Sequence, residues 1–257
     1  MIQRKLMTMI VAMTCLGTLS ADEPAAVAPP TVELVTFAAA GENAPTLEGE
    51  LRIPLRATAE TTVPGAVICH PHPLYGGTMS NAIVIRLRDR LLEMGIATLA
   101  FNFRGVGASE GEFGGGVVEA NDVIGAMTYL RSRLEVQADR CGIVGYSFGA
   151  VMALKAAAVF GDVTACGLAG FATEVDEDGL GEVAHLSQVK CPLIFVSGTE
   201  DIYSKPDGLS QLVAEYNLTA QVVPFEGVDH FFADAHWRGV MSQTIADFMA
   251  AHLIGEM

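Results

Sequence analysis

The fold is decided by residues 141–149, which read CGIVGYSFG. The apolar residues 141–144 predict a buried strand, residues 148–159 predict a helix, and the pattern Gly-x-Ser-x-Gly lies between them. A serine at such a sharp strand-to-helix turn has a strained backbone, and the crowding there requires small residues two positions away on each side. Gly145 and Gly149 meet that requirement around Ser147. The alternative is a tight turn in which the serine is incidental.

A serine at this turn is lifted clear of the sheet, beside the amino end of a helix. The N–H of Phe148 can there face an oxyanion, because the first N–H groups of a helix have no partner within it. A serine hydroxyl is a poor nucleophile at neutral pH, so this interpretation requires a base and an acid that orients the base. Both are expected downstream of Ser147.

The predicted base is His230, which follows the last predicted strand and precedes the last predicted helix. His185 and His252 lie in helical or polar segments, and His236 begins the final helix. The predicted acid is Asp201, which follows the strand 193–197 and gives the chain order Ser, Asp, His. Acidic residues nearby are the alternatives to it: Glu200, Asp229 and Asp207.

The segments around these residues alternate between short apolar runs and helical patterns, after an opening antiparallel pair at 31–37 and 47–53. Apolar runs without polar alternation are typical of strands buried on both faces. We therefore predict an α/β fold with a mostly parallel sheet of about eight strands flanked by helices, and ligands at the carboxyl ends of the strands. The predicted buried strands are 66–69, 97–101, 142–146, 165–169, 193–197 and 220–223. The predicted helices are 81–94, 118–134, 148–159, 206–216 and 237–252.

The loop after the first parallel strand reads HPHPLYGG over residues 70–77. A second oxyanion donor is expected there, and because proline has no N–H, His72, Leu74, Tyr75 or a glycine must supply it. We favour His72, which most closely follows the strand. His70 and His72 could instead be a metal-binding pair, but no third ligand has a plausible spacing, so no metal is predicted.

Residues 102–111 contain a Gly-x-Gly, but a dinucleotide fingerprint would need glycine in place of Glu110. The simpler interpretation is that the glycines shape a loop beside the site and that Arg104 packs or pairs structurally. No cofactor is predicted.

Composition excludes several classes of protein. Of 257 residues, 51% are hydrophobic and 18% charged, which excludes a disordered chain. The net charge of −15 disfavours nucleic acid as a partner. The five cysteines show no zinc-binding spacing. They are most simply buried thiols, although a bridge between Cys69 and Cys141 is conceivable in an exported protein.

The amino terminus has the pattern of a secretory signal: Arg4 and Lys5, an apolar run over 6–19, and then small residues. We expect a signal peptide over residues 1–21, cleaved after Ser20 or Ala21, an Ala/Pro-rich linker over 22–30 and one domain over 31–257. The apolar run is shorter than the ~20 residues of a membrane span, so no stable membrane insertion is expected. The predicted location is periplasmic or secreted. The alternative is an overlong gene start on a cytoplasmic protein.

The segments 70–77, 102–112, 145–149 and 229–232, in this order, resemble the α/β-hydrolase superfamily over nearly all of 31–254. The nearest likeness is to small bacterial lidless hydrolases near its dienelactone-hydrolase-like and serine-aminopeptidase-like branches. The resemblance implies a triad of Ser147, Asp201 and His230. It also implies an oxyanion hole from Phe148 and the loop after His70. Residues 170–190 are short and acidic, so no large lid is expected.

The expected function is hydrolysis of a small-molecule carboxylic ester through an acyl-enzyme, as in carboxylesterases, without a cofactor. One alternative is a peptidase or amidase of the same fold. The other is a noncatalytic binding protein that keeps the turn for structural reasons, because a fold alone does not establish an activity. The residues indicate neither the natural substrate nor the oligomeric state.

Overall fold

A computed structural model describes residues 30–173 and 184–255. The predicted signal peptide and almost all of the linker lie outside these residues, so both remain predictions. Eight strands form one sheet: β1 (Thr31–Ala38), β2 (Thr46–Ile53), β3 (Val63–Cys69), β4 (Ala97–Phe101), β5 (Val136–Tyr146), β6 (Cys166–Ala169), β7 (Leu193–Gly198) and β8 (Ala220–Phe225). The helices are α1 (Ala82–Glu93), α2 (Ala120–Arg131), α3 (Phe148–Phe160), α4 (Pro206–Glu215) and α5 (Ala235–Leu253), with short 3₁₀ turns at Pro73–Tyr75 and Ala184–Gln188.

The strand order in the sheet is β1-β2-β4-β3-β5-β6-β7-β8. β2 is antiparallel to both of its neighbours, and every pair from β4 to β8 is parallel. The predicted mostly parallel sheet of about eight strands with an opening antiparallel pair is therefore confirmed. Each predicted helix begins and ends within three residues of an observed one.

Two hydrophobic cores cover the two faces of the sheet. Residues of α2, α3 and α4 pack against one face, and residues of α1 and α5 pack against the other. The central strands β3 and β4 are buried at every position, because helices cover both of their faces. This arrangement leaves the carboxyl ends of the parallel strands as the edge where loops can form a site.

The strand β5 begins at Val136, earlier than the residue 142 predicted from its apolar run. Residues 137–140 are polar and partly exposed, which hid the start of the strand. Val136 pairs with Val63, and the register then shifts so that Cys141 pairs with Gly65. The early part of β5 thus pairs irregularly with β3, and no apolar pattern in the sequence predicts it.

The conceivable bridge between Cys69 and Cys141 is wrong. The register pairs Cys141 with Gly65 and Cys69 with Gly145, four residues apart along the sheet. At about 3.3 Å per residue this separates the two cysteines by about 13 Å, too far for a disulfide. The four cysteines of the described residues are free and buried, and the Sγ atoms of Cys166 and Cys191 lie 3.7 Å apart.

The connection between β6 and β7 runs over residues 170–192, which is too short for a large lid domain. In residues 30–173 and 184–255, no helix is both long enough and apolar enough to cross a membrane.

Candidate active site

The turn between β5 and α3 holds Ser147 in a conformation that serine rarely adopts, with φ 55° and ψ −122°. Such a conformation costs of order 1–3 kcal/mol and is typical of functional sites. A Cβ atom on Gly145 would lie 2.3 Å from the carbonyl oxygen of Gly149, and one on Gly149 would lie 2.3 Å from that of Cys69. The crowding expected from the Gly-x-Ser-x-Gly pattern is therefore present on both sides of the serine.

The structure brings the three predicted side chains into one hydrogen-bonded line. Ser147 Oγ lies 2.9 Å from His230 Nε2, and His230 Nδ1 lies 2.8 Å from Asp201 Oδ2. His230 is 8% exposed and Asp201 is 1% exposed, so the line is shielded from water except at the serine end. The three residues come from the ends of β5, β7 and β8, which lie on the same edge of the sheet.

The loop after β7 holds the carboxylate of Asp201, rather than that of a neighbouring residue, against His230. Its Oδ1 atom accepts hydrogen bonds from the N–H groups of Tyr203 and Ser204, both at 2.9 Å, which leaves Oδ2 for His230. The side chain of Glu200 is exposed instead, and its backbone N–H donates to the carbonyl of Val228. Asp229 Oδ1 accepts from the N–H of Phe231, two residues along the chain.

Three residues that the sequence analysis missed hold His230 in place. Tyr146 donates its hydroxyl to the His230 carbonyl at 3.0 Å, and its ring stacks on the imidazole with centroids 5.7 Å apart. Burial raises the pKa of Tyr146, with Asp201 and Asp229 acting in the same direction, so the phenol remains a protonated donor. The ring of Tyr203 meets the imidazole edge-on at 5.0 Å.

Gly170, directly after β6, is the third of these residues. A Cβ atom there would lie 3.0 Å from His230 Cε1, and its φ of 57° favours glycine. No local pattern in the sequence joins Tyr146, Tyr203 or Gly170 to His230, because the contacts cross between separate loops. They could be found only once the strand order was known.

The loop after β3 lies directly against the turn that carries Ser147. The ring of His72 packs on that of Phe148 with centroids 5.1 Å apart, and the His72 carbonyl accepts from the N–H groups of Tyr75 and Gly77. Phe148 is the first residue of α3, so its N–H has no acceptor within the helix. The structure thus packs His72 against Phe148, the residue that follows Ser147.

His70 uses both of its ring nitrogens inside the protein. Nδ1 lies 2.6 Å from the Pro71 carbonyl, and Nε2 accepts from the N–H of Phe103 at 3.1 Å. Burial, with a smaller contribution from the charge of His72, lowers the pKa of His70 to about 4, so the imidazole is neutral at pH 7. A metal pair of His70 and His72 would have to break these bonds. Among the described residues no group of three or more metal-binding side chains is found.

The Gly-x-Gly loop after β4 is held by two carboxylates, one of them buried, as the structural interpretation of Arg104 expects. Arg104 donates to both oxygens of Asp122, a fully buried residue of α2. Burial raises the pKa of Asp122, and the bonds from Arg104 oppose that effect only in part. A Cβ atom on Gly107 would lie 2.1 Å from Glu48 Oε1, which accepts from the N–H of Ala108.

Family models match most of the domain. The model of the dienelactone hydrolase family matches residues 117–250. The chain belongs to the dienelactone hydrolase family. The model of the X-Pro dipeptidyl-peptidase (S15) family matches residues 45–166 of this family member. An uncharacterised protein of Rickettsia prowazekii (strain Madrid E) is 28% identical over 190 residues, which are 72% of this chain and 79% of the relative.

Solved structures share the fold of this dienelactone hydrolase family member. A putative α/β hydrolase of unknown function from Agrobacterium tumefaciens is 26% identical, with a TM-score of 0.74 over 87% of this chain and 98% of that one. An α/β serine hydrolase homologue from Coxiella burnetii is also 26% identical, with a TM-score of 0.69 over 89% and 100%. An α/β serine hydrolase without a lid from Xanthomonas campestris is 24% identical, with a TM-score of 0.65 over 90% and 95%. The protein is therefore a hydrolase of the α/β fold.

Proposed function

We propose that this hydrolase cleaves carboxylic esters of small molecules through an acyl-enzyme, with Ser147 as nucleophile, His230 as base and Asp201 as the acid that orients the base. One observation carries the proposal: the line from Ser147 Oγ to His230 Nε2 at 2.9 Å and from His230 Nδ1 to Asp201 Oδ2 at 2.8 Å. Nucleophile, base and orienting group are thus each within hydrogen-bond reach of the next.

The hydrogen bonds around Asp201 support a direction for the proposed proton transfer. Two backbone N–H groups donate to its Oδ1 atom, and its Oδ2 atom faces His230 Nδ1. An ionised carboxylate only accepts, so Nδ1 of His230 carries the ring proton and Nε2 is free to act as base. Nε2 takes the proton of Ser147 as the hydroxyl attacks the ester carbonyl.

The remaining steps use the same groups. The N–H groups of Phe148 and His72 stabilise the oxyanion of the tetrahedral intermediate. His230 then gives its proton to the departing alcohol, and a water molecule, deprotonated by the same imidazole, releases the acid from Ser147.

Amide-bond hydrolysis is the second candidate, because the X-Pro dipeptidyl-peptidase model matches residues 45–166. An amine leaving group must be protonated as it departs, which His230 could also do. The connection over 170–192 is too short for a large cap that would hold a peptide, which favours the ester. An ester and the matching anilide of the same acid, assayed side by side, distinguish the two.

The first test is the intact mass of the protein after exposure to a fluorophosphonate probe. Wild type is expected to gain one adduct and Ser147→Ala none, whereas the control Ser210→Ala, at an exposed serine of α4, is expected to gain the same adduct as wild type. Ser147→Ala should lose ester turnover together with the adduct. Wild type should keep its ester turnover in the presence of a chelator. Unchanged turnover by pure Ser147→Ala would exclude the mechanism.

The same experiment on protein expressed from the full-length gene tests export. We propose a periplasmic or secreted protein, on the strength of the amino-terminal pattern alone. Loss of the first 20 or 21 residues from the mass of the periplasmic or secreted protein supports this location. A full-length mass in the cytoplasmic fraction supports the overlong gene start.

A further inference from the structure

Exposed apolar side chains are concentrated around the line of Ser147, His230 and Asp201. Of the eleven large hydrophobic side chains that are exposed among the described residues, five lie in the loops that carry this site. Tyr75 is 85% exposed, Ile202 is 65% exposed and Phe231 is 64% exposed. We call the five residues the apolar rim: Leu74, Tyr75, Ile202, Tyr203 and Phe231. Exposed apolar side chains that cluster mark binding surfaces more often than chance.

The apolar rim has two walls, one beside His230 and one beside His72. On one side, the rings of Tyr203 and Phe231 lie 5.0 Å and 5.6 Å from the ring of His230. On the other side, the ring of Tyr75 packs on that of His72 at 4.7 Å, and His72 packs on Phe148, the residue after the serine. A group bound between these walls would have its carbonyl carbon near Ser147 Oγ.

The charges near the rim disfavour an anionic group in the same place. Arg104, the cation in the loop after β4, is bound to Asp122 and is not available to a substrate. Glu200 and Asp229 are exposed next to the acid and the base, and the whole chain has a net charge of −15. A carboxylate on the substrate would be repelled by these groups.

We propose that the apolar rim binds an uncharged aryl or alkyl group of the ester, so that neutral apolar esters are the preferred substrate class. The proposal rests on the proposed ester hydrolysis. Burying such a group between Tyr75 and the Tyr203/Phe231 wall removes apolar surface from water on both partners. Long neutral esters should therefore be cleaved with a higher kcat/KM than acetate esters, and esters of dicarboxylic acids with a lower one.

The test compares p-nitrophenyl acetate, butyrate and octanoate with the anionic p-nitrophenyl hemisuccinate, all as monomers in solution. Wild type is expected to prefer octanoate to acetate, and butyrate to hemisuccinate, by at least about tenfold in kcat/KM. In Tyr75→Ser and Ile202→Ser the octanoate-to-acetate ratio should fall about 3- to 10-fold. Val159→Ser, which removes an exposed valine near the far end of α3, should leave the ratio unchanged.

Ratios in the rim variants that equal the wild-type ratio would overturn the proposal, as would hemisuccinate cleaved as well as butyrate. Octanoate hydrolysis that rises only when the ester aggregates would show that the rim serves a lipid surface, and would also overturn it. The failure of the proposed function is distinct, because wild type would then cleave none of the four esters.

Independently of the rim, two cysteines near the starts of neighbouring strands are in contact. Cys166 begins β6, and Cys191 lies two residues before β7. The N–H of Cys166 donates to the carbonyl of Pro192 at 3.0 Å, which holds the two segments side by side. The Sγ atoms of Cys166 and Cys191 are 3.7 Å apart. Closing this gap to the ~2.05 Å of a disulfide needs the two sulfur atoms to approach by about 1.7 Å.

We infer that Cys166 and Cys191 form a disulfide when the protein meets a disulfide oxidant. Cys191 is 9% exposed and Cys166 is fully buried, so Cys191 reacts first. Its thiolate attacks one sulfur of oxidised glutathione, and one glutathione thiolate leaves. Cys166 then loses its proton and attacks Cys191 Sγ, which releases the second glutathione. Two protein thiols are oxidised and one glutathione disulfide is reduced to two thiols.

The test is the intact mass and peptide map of the full chain after treatment with oxidised glutathione. Wild type should lose about 2 Da, with Cys166 linked to Cys191, and its midpoint of thermal unfolding should rise by about 5 to 10 °C because the link closes a loop of 25 residues. Cys191→Ser should not form the link, whereas Cys141→Ser should. An unchanged wild-type mass, or a link that contains Cys69 or Cys141, would overturn the inference.

Discussion

Three buried imidazoles lie at the carboxyl edge of the sheet, and two of them, His230 and His70, have different hydrogen-bond partners. His230 places Nδ1 against the carboxylate of Asp201 and Nε2 against the hydroxyl of Ser147. His70 places Nδ1 against the carbonyl of Pro71 and Nε2 against the N–H of Phe103. Both rings are shielded from water, and both nitrogens of each ring are hydrogen-bonded.

Burial is the main cause of the lowered pKa of His70, and the two rings also differ in their partners. The negative charge of Asp201 stabilises an imidazolium at His230, and the hydroxyl in front of Nε2 has a proton to give. His70 has a neutral carbonyl behind it and a backbone N–H in front, so protonation would break a hydrogen bond inside an apolar environment. In the proposed mechanism the same side chain is a base in one loop, whereas in the other it is a neutral group that braces the loop.

The largest effect is expected from His230→Ala. Without the imidazole, Ser147 has no proton acceptor within reach, so kcat for ester hydrolysis should fall about 10⁵- to 10⁶-fold. Steady-state kinetics with p-nitrophenyl butyrate measure the loss, and circular dichroism checks that the variant is folded. A fall of less than tenfold in a folded variant would mean that His230 is not the base.

Asp201→Asn should cost less, about 10⁴-fold in kcat, because the amide keeps the shape but favours the wrong tautomer of His230. The measurement is kcat of Asp201→Asn compared with kcat of His230→Ala in the same assay. Glu200→Gln is the matched control, since the side chain of Glu200 is exposed, and it should stay within about twofold of wild type. A Glu200 variant that is the more damaged of the two would reverse the assignment of the acid.

His70→Ala tests the brace and should reduce kcat about 10- to 100-fold with little change in KM. Loss of the bonds to Pro71 and Phe103 loosens the loop that carries the oxyanion residue His72, and a misplaced oxyanion donor raises the barrier rather than weakening substrate binding. The same kinetic assay separates the two parameters. A change confined to KM would place His70 in substrate binding instead.

The pKa of His70 also predicts a pH dependence of stability. Its pKa is about 4 in the folded protein and about 6.5 in an unfolded chain, so between these values only the unfolded chain binds the proton. The free energy of unfolding should therefore lose about 2 kcal/mol from this group between pH 7 and pH 5, while above pH 6.5 its contribution is fully present. Urea unfolding at both pH values, in wild type and in His70→Gln, should show a smaller loss in the variant. Equal losses would contradict the prediction.

The smallest effect is expected from Tyr146→Phe. This change removes the hydroxyl that donates to the His230 carbonyl but keeps the stacked ring, so kcat should fall only about fivefold. Tyr129→Phe, a tyrosine of α2 that stacks on Phe37, is a control with the same change of atoms. If both variants behave like wild type, the hydroxyl of Tyr146 does not help to position the imidazole.

Parts of this comparison can be predicted from the sequence, because they are local. Five consecutive residues predict the turn around Ser147. The strand ends before Asp201 and His230 are predicted from short apolar runs. Both imidazole-bearing loops could therefore be located. The adjacency of Asp201 and His230 at one edge follows from the parallel sheet.

What could not be predicted depends on contacts between distant segments. Asp122 holds Arg104 from a helix 18 residues further along, and Gly170 leaves room for the ring of His230 from another strand end. The pairing of Cys166 with Cys191, in place of Cys69 with Cys141, depends on strand register. A shift of register changes which residues of adjacent strands lie side by side, and it cannot be predicted from composition.

The contact between Gly149 and the carbonyl of Cys69 has a consequence for how this enzyme can evolve. The turn and the loop after β3 meet there through backbone atoms, with no side chain between them. In the proposed mechanism the oxyanion hole is formed by main-chain N–H groups, while the side chains of Leu74 and Tyr75 in the same loop are exposed. Mutations at those two positions can explore new substrates without disturbing the chemistry, so selectivity and catalysis can be inherited and altered as separate traits.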